Sequence, residues 1–312
     1  MIQANNLSKL YKKKYAVNDI SFTVESGKVT GFLGPNGAGK STTMRLMLGL
    51  DHGGGTTTFD GKPLHQYTQP SQVVGILLEA KAFHPTRSAR NHLRILAAAG
   101  NIPDSRVDEV LEIVGLSEVA KKKPGKFSLG MSQRLGIAAA ILGEPKYLML
   151  DEPANGLDPE GIAWLREFLK DYAAKGNAVF VSSHLLSEIA LMAENIVIIG
   201  KGQLIANTSI KELESGEGYT SVFVRSNKLP QLEKLLQGHK IVFEKQKTGL
   251  KANGISTDII GKLAFENNIP ILELANQSTS LEDIFLDLTE NAQEFKSHDK
   301  TPHQKLSQKG DK

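Results

Sequence analysis

An α/β fold built on a mostly parallel sheet is the architecture this sequence predicts, and three observations predict it. Short apolar runs at 29–33, 147–150, 178–181 and 196–199 read as strands buried on both faces. Helical patterns alternate with those runs over residues 1 to about 215, which implies parallel pairing with helices packed on both sides of the sheet. A glycine-rich loop, Gly34 to Thr42, joins the first apolar run to a helical stretch.

The elements follow in order. Residues 41–48 read as a helix, ended by Gly49 and the cluster Gly53-Gly54-Gly55. A further strand, Val74-Gly75-Ile76-Leu77-Leu78, ends in Glu79. Strand signals then vanish between about 83 and 144. Helical patterns at 89–99, 107–114 and 131–142 replace them, with Asp104 as an N-terminal cap and Gly115 as a stop. This stretch predicts a helical subdomain inserted into the α/β body. After Gly216-Glu217-Gly218 the texture changes. Residues 219–224 alternate like a strand, 229–236 and 258–267 read as helices, and 241–244 and 271–274 as strands. Leu281, Ile284, Phe285 and Leu288 recur at helical spacing. The division expected is therefore 1–215 for the α/β domain, 216–290 for a small α+β appendage, and 291–312 for a polar, disordered tail.

Composition narrows the chemistry. The 312 residues are 40% hydrophobic and 23% charged, with no cysteine, so disulfides, thiolate metal sites and cysteine nucleophiles are excluded. The longest apolar runs, such as 135–142, fall far short of the roughly 18 residues a membrane span needs. The lysines near the start are followed by no apolar block. The chain is expected neither to span a membrane nor to be secreted by that route. The net charge of +3 is small, and Lys296, Lys300, Lys305, Lys309 and Lys312 place much of the excess in the tail. Nucleic-acid binding is not expected from such a distribution. Lys121-Lys122-Lys123, before Pro124-Gly125, reads as a solvated loop.

The loop Gly34-Pro35-Asn36-Gly37-Ala38-Gly39-Lys40-Ser41-Thr42 has the spacing of a phosphate-binding loop. Its glycines let backbone N–H groups turn inward around an anion, and the helix that follows adds a partial positive charge. Lys40 is expected to reach the β- and γ-phosphates, Ser41 to ligate Mg²⁺, and Thr42 to bond the α-phosphate. This motif alone implies a P-loop NTPase. The run 147–150 ends at once in Asp151 and Glu152. A strand ending in two carboxylates sets both at the sheet edge where α/β proteins bind ligands. Asp151 is the expected Mg²⁺ ligand through water, and Glu152 the group that orients or deprotonates the attacking water.

Phe127-Ser128-Leu129-Gly130-Met131-Ser132-Gln133-Arg134 precedes those acids. Here the chain resembles the ABC ATPases, whose signature is usually written LSGGQ-x-Q-R. Ser128, Gly130, Gln133 and Arg134 match, whereas Phe127, Leu129 and Met131 depart. Ser128 suits a helix cap, and a helix end of this kind accepts a phosphate. The resemblance implies that Ser128 and Gly130 face ATP held by a second subunit in a head-to-tail dimer. It assigns Asn155-Gly156-Leu157-Asp158 to the D-loop and His184 to the switch histidine. It also assigns Tyr11 to the aromatic that stacks on adenine, with Tyr15 as the competing candidate. Glu79 stands where the family's Q-loop usually has glutamine. That substitution resembles the exporter branch of bacitracin-resistance and lantibiotic-immunity ATPases, and a carboxylate there still suits Mg²⁺ or its water.

The resemblance thus implies an ABC ATPase core with its inserted helical subdomain. Its cofactors would be ATP and Mg²⁺, with Ser41, Asp151 and Glu79 around the metal. The partners implied are a second ATPase subunit and a separate permease, with the chain peripheral on the inner face of the cell membrane. The implied role is ATP hydrolysis that powers export of peptide antibiotics or other amphipathic drugs. Two rival readings are a soluble ABC ATPase acting on ribosomes or DNA, and a P-loop kinase or GTPase. The first usually carries two cassettes or a long coiled coil, and the second leaves residues 128–134 and His184 unexplained.

Overall fold

The computed structural model describes residues 1–215 and 220–278. Its centre is a six-stranded sheet of order β5-β6-β7-β3-β8-β9. The strands are β3 (Val29–Leu33), β5 (Val74–Leu77), β6 (Tyr147–Leu150), β7 (Ala178–Ser183), β8 (Asn195–Gly200) and β9 (Gln203–Ser209). All neighbours pair in parallel except β9, which runs antiparallel to β8. Every residue of β3, β6 and β7 is buried. The period-2 alternation of a strand then divides them between two cores. Val29, Leu33, Leu148, Leu150, Val179 and Val181 enter one core. Phe32, Tyr147, Met149, Ala178 and Phe180 enter the other.

The first core is closed by helices. These include α3 (Ala89–Ala99), α4 (Ser105–Ile113) and α5 (Leu129–Ala140), inserted between β5 and β6, and α6 (Pro159–Ala174) and α7 (Leu186–Ala190). The second core departs from the expectation of helices on both sides. It is closed by α1 (Lys40–Met47) together with a three-stranded antiparallel sheet, β2-β1-β4. These strands are β1 (Ile2–Tyr11), β2 (Lys14–Val24) and β4 (Gly54–Phe59). Phe22 of β2 stacks against both Phe32 and Phe180, with ring centroids 5.7 and 5.4 Å away, and those two stack on each other at 5.0 Å. Gly54 and Gly55 open β4 instead of merely ending the preceding loop.

Helix boundaries follow local chemistry. Ser88 caps α3 by accepting the N–H of Asn91 at 3.2 Å. Gly115 adopts φ 69° and donates to Glu112 at 3.0 Å, ending α4 as expected. Asp104 does not behave as the cap predicted for it. It stands at the N-cap position in helical conformation with no capping bond, and its carboxylate accepts Arg94 Nε at 2.7 Å instead. A guanidinium offers a charged donor, which outcompetes a neutral N–H. The short helices α2 (Pro70–Val73) and α8 (Ile210–Ser215) flank β5 and follow β9.

Residues 220–278 form a four-stranded antiparallel sheet of order β11-β12-β10-β13 with α9 (Leu229–Gly238) and α10 (Thr257–Glu266). Its strands are β10 (Thr220–Arg225), β11 (Phe243–Lys245), β12 (Leu250–Asn253) and β13 (Glu273–Ser278). The strands expected at 241–244 and 271–274 are each displaced toward the C-terminus, and β12 was not foreseen. Val222, Val224, Leu232, Leu236, Leu250 and Ile260 make a separate buried core. The turn at 216–218, the helix at Leu281 to Leu288 and the tail from 291 lie outside the described residues. Among the described residues, no helix is long and apolar enough to cross a membrane.

Candidate active site

The loop 34–39 leaves the C-terminal end of β3 and turns directly into α1. Gly39 occupies the N-cap position at φ 109° and ψ 7°. A Cβ there would lie 2.4 Å from Ala16 O, so both conformation and space require glycine. Ala38 donates to Pro35 O at 3.1 Å, and its own carbonyl accepts from Gly202 at 2.9 Å, which fixes the loop's middle. The first turn of α1 carries no capping side chain and no acidic residue. Its leading N–H groups, from Lys40 to Thr42, have no partner within the helix. They border a cavity of about 340 Å³ lined by residues 35–42 with Ala16, Glu152, Asn155 and His184.

Glu152 holds this cleft together. It follows β6 with φ 48°, a left-handed conformation that is uncommon outside glycine. One carboxylate oxygen lies 3.2 Å from Lys40 Nζ, and the other 2.8 Å from His184 Nδ1. Asn155 Nδ2 reaches the second oxygen at 3.5 Å. Lys40 is only 6% exposed and also donates to Gly34 O at 2.7 Å. Three bonds steady the backbone of Glu152. Its N–H donates to Ser182 Oγ at 2.9 Å, and its carbonyl accepts from Gln133 Nε2 at 3.2 Å and from Asn155 N at 3.2 Å. The Ser182 hydroxyl donates in turn to the Asp151 carboxylate, and the Asp151 N–H donates to Leu77 O at 2.7 Å. β6, β7 and α5 therefore converge on one residue.

The expected site residues do not all meet in this cleft. Pro35, Asn36, Gly37, Ala38, Gly39, Lys40, Ser41, Thr42, Glu152 and His184 line it, while Gly34 stays outside the lining and accepts the Lys40 ammonium on its carbonyl. Tyr11 lies outside the lining. It is half exposed at the end of β1, and its hydroxyl donates to Asp51 at 3.2 Å. Local burial and then the Asp51 carboxylate push that phenol's pKa up. Tyr15 faces Leu10 across the same hairpin and is also half exposed. Glu79 is exposed and borders a different, largely apolar groove of about 700 Å³ walled by β5, α3 and α5.

Ser128 and Gly130 stand apart as well. Ser128 is exposed and caps α5 by accepting the Met131 N–H at 3.1 Å. A Cβ on Gly130 would lie 2.9 Å from Gly156 O, so this helix end is pressed against the loop 155–158. Asp158 caps α6 through Gly161 N at 2.9 Å. The α5 terminus and the Gly156–Asp158 end of this loop thus lie together outside the lining of this chain's own cleft, which the loop reaches only through Asn155. The motif readings did not foresee Ala16, Ser182 or the reach of Gln133 to Glu152. Only the chain's folding brings those distant residues together.

Oxygen donors that suit a hard cation are present at the Ser41 hydroxyl, which lines the cleft, and at the Asp151 carboxylate. No group of three or more ligating side chains occurs among the described residues. A Mg²⁺ ion here would thus draw its remaining ligands from a nucleotide and water, which is its common habit.

Known proteins share this architecture. A family model described as ABC transporter matches residues 17–155, and a domain of unknown function (DUF8746) matches 220–282. The uncharacterized ABC transporter ATP-binding protein YhcH of Bacillus subtilis is 35% identical over 96% of this chain and 99% of its own length. The bacitracin transport ATP-binding protein BcrA of Enterococcus faecalis is 37% identical over 91% of this chain and 95% of its own. The lantibiotic transport ATP-binding protein SrtF of Streptococcus pyogenes is 35% identical over 72% of this chain and 96% of its own. A solved ATP-binding subunit of an ABC transporter superposes with a TM-score of 0.63 at 27% identity, covering 69% of this chain and 92% of that one. Both the fold and relatives aligned over nearly the full chain lead to one assignment: this protein belongs to the family of ABC transporter ATP-binding proteins.

Proposed function

We propose that the chain binds and hydrolyses ATP as one half of a dimer and powers a separate permease that exports peptide antibiotics or similar amphipathic drugs. The observation that carries this reading is Glu152, set between the buried Lys40 and His184 at the mouth of the phosphate-binding loop. The α1 N-terminus and the loop N–H groups hold the phosphates. Lys40 exchanges its contacts with Gly34 O and Glu152 for the β- and γ-phosphate oxygens, which frees the carboxylate. Glu152 then takes the proton of a water whose oxygen attacks the γ-phosphorus as the bond to the β-phosphate oxygen breaks. His184 holds the Glu152 carboxylate from the other side. Ser41 and Asp151, the latter through water, would hold Mg²⁺, which when bound neutralises phosphate charge.

The cleft is one-sided, because Ser128 and Gly130 lie outside its lining. We place them, with the loop ending at Asp158, on the ATP of a second copy. Tyr11, on the hairpin that delivers Ala16 to the cleft, is the proposed adenine contact, and Glu79 the proposed Q-loop acid. The apolar groove beside Glu79, with Ile76 and Leu96 exposed, is the proposed seat of the permease. The transport of bacitracin and lantibiotics named for the relatives supports the substrate class.

Glu152→Gln tests the reading. Turnover should fall by about 10²–10⁴-fold while ATP binding persists, since the amide keeps the shape but cannot accept the proton. Undiminished turnover would remove Glu152 from the reaction.

A further inference from the structure

Gln133 is 4% exposed and sits on α5 five positions after its cap, Ser128. Its Nε2 donates to the Glu152 carbonyl, while its Oε1 is buried without a hydrogen-bond partner among the described residues. The orientation of the amide is forced, because a carbonyl acceptor must face the nitrogen. A buried polar atom left unpaired costs stability, and each such case calls for a reason. The bond to Glu152 is not needed to satisfy that carbonyl, which Asn155 N already serves. An apolar side chain of equal length would therefore suit the core better. What Gln133 adds is a direct tie from α5 to the backbone of a residue held at φ 48°.

We propose that Gln133 is a positioning residue that makes the aim of the Glu152 carboxylate depend on where α5 sits. Resting on the functional reading above, this gives the helix two duties. Its capped N-terminus is offered to the second copy's nucleotide, and one and a half turns later Gln133 grips this chain's own Glu152. Ser132, between them, ties its hydroxyl back to Ser128 O at 2.9 Å, so the turn moves as a unit. A shift of α5 on contact with the partner's phosphate then reaches Glu152 through a single hydrogen bond. Each chain's hydrolysis is thereby coupled to its neighbour's nucleotide.

The test is Gln133→Met, which keeps length and volume while removing both polar ends. Thermal stability should be unchanged or raised, because the unpaired Oε1 is gone. The kcat for ATP should fall on the order of 10–100-fold, the usual cost of a small misplacement of a reacting group, with KM unchanged. In a Glu152→Gln background the same substitution should have no further effect on kcat. A lowered melting temperature with unchanged kcat would make Gln133 purely structural and overturn the proposal, as would an additive loss in the double variant. If Glu152→Gln alone left turnover intact, the catalytic reading would fail instead, and the single Gln133 variant would still report on the tie.

Discussion

Replacing Gly39 by alanine separates two physical costs that the structure allows to be measured apart. At Gly39 the new methyl group meets Ala16 O at 2.4 Å, and the backbone angle of 109° lies beyond the left-handed region that L-residues tolerate. At Gly49 the angle is 70°, within that region, and nothing lies within 4 Å of a Cβ. Gly49→Ala should therefore cost only the conformational part, about 1–2 kcal/mol. Gly39→Ala carries strain of about 1–3 kcal/mol plus a clash with a strand carbonyl that cannot retreat freely, comparable to overpacking at about 1–3 kcal/mol. The sum is about 2–6 kcal/mol. Urea unfolding of the two variants measures the difference directly, and an ATP-binding titration of Gly39→Ala should show the loop's affinity lost. Equal destabilisation of the two variants would refute the claim that close approach of β2 dictates glycine at the loop.

Two further outcomes follow from contacts elsewhere. Asp158→Ala should destabilise by about 1 kcal/mol because it removes a true N-cap, whereas Asp104→Ala should cost less than about 1 kcal/mol because its exposed ion pair with Arg94 is all that is lost; equal effects in denaturant melts would contradict that distinction. His92, beside Phe83 in the apolar groove, has its pKa lowered by burial and then by Arg87. Its folded pKa thus lies below the unfolded value of about 6.5, so its contribution is present above that pH and is lost as pH falls through the folded value. The decline in melting temperature between pH 7.5 and 5 should be shallower in His92→Gln, and an unchanged slope would exclude the imidazole as its source.

Much of this was legible in the linear sequence because fully buried strands announce themselves. Runs 29–33 and 147–150 are dominated by apolar residues and buried at every position, and each marks the strand that carries a functional loop at its end. The strands β1 and β2 were not legible, because half their residues face solvent and polar side chains interrupt the pattern. Asp104 shows a second limit. Its position suits a cap, but sequence does not reveal that Arg94 competes for the same carboxylate. At the site, short motifs exposed Lys40, Glu152 and His184 individually, while their mutual contacts depend on β3, β6 and β7 lying side by side. Ser182 and Gln133 carry no local signal at all for what they hold. Tyr11 and Glu79 match by position, yet neither enters the cleft's lining, and Glu79 borders the apolar groove instead.

Complementation tests most directly whether the grip of Lys40 is completed by Ser128 of another copy. Lys40→Ala disables a chain's own cleft, and Ser128→Arg disables the surface it offers to a partner. Each variant alone should be folded and inactive. Mixed in equal amounts, half of the dimers combine the two, and each of these has one intact site. ATPase activity should then rise clearly above that of either variant alone, to at most about a quarter of that of the unaltered protein, because the coupling through Gln133 lowers what one intact site delivers. A mixture that stays inactive while both chains remain folded and dimeric would contradict the shared site.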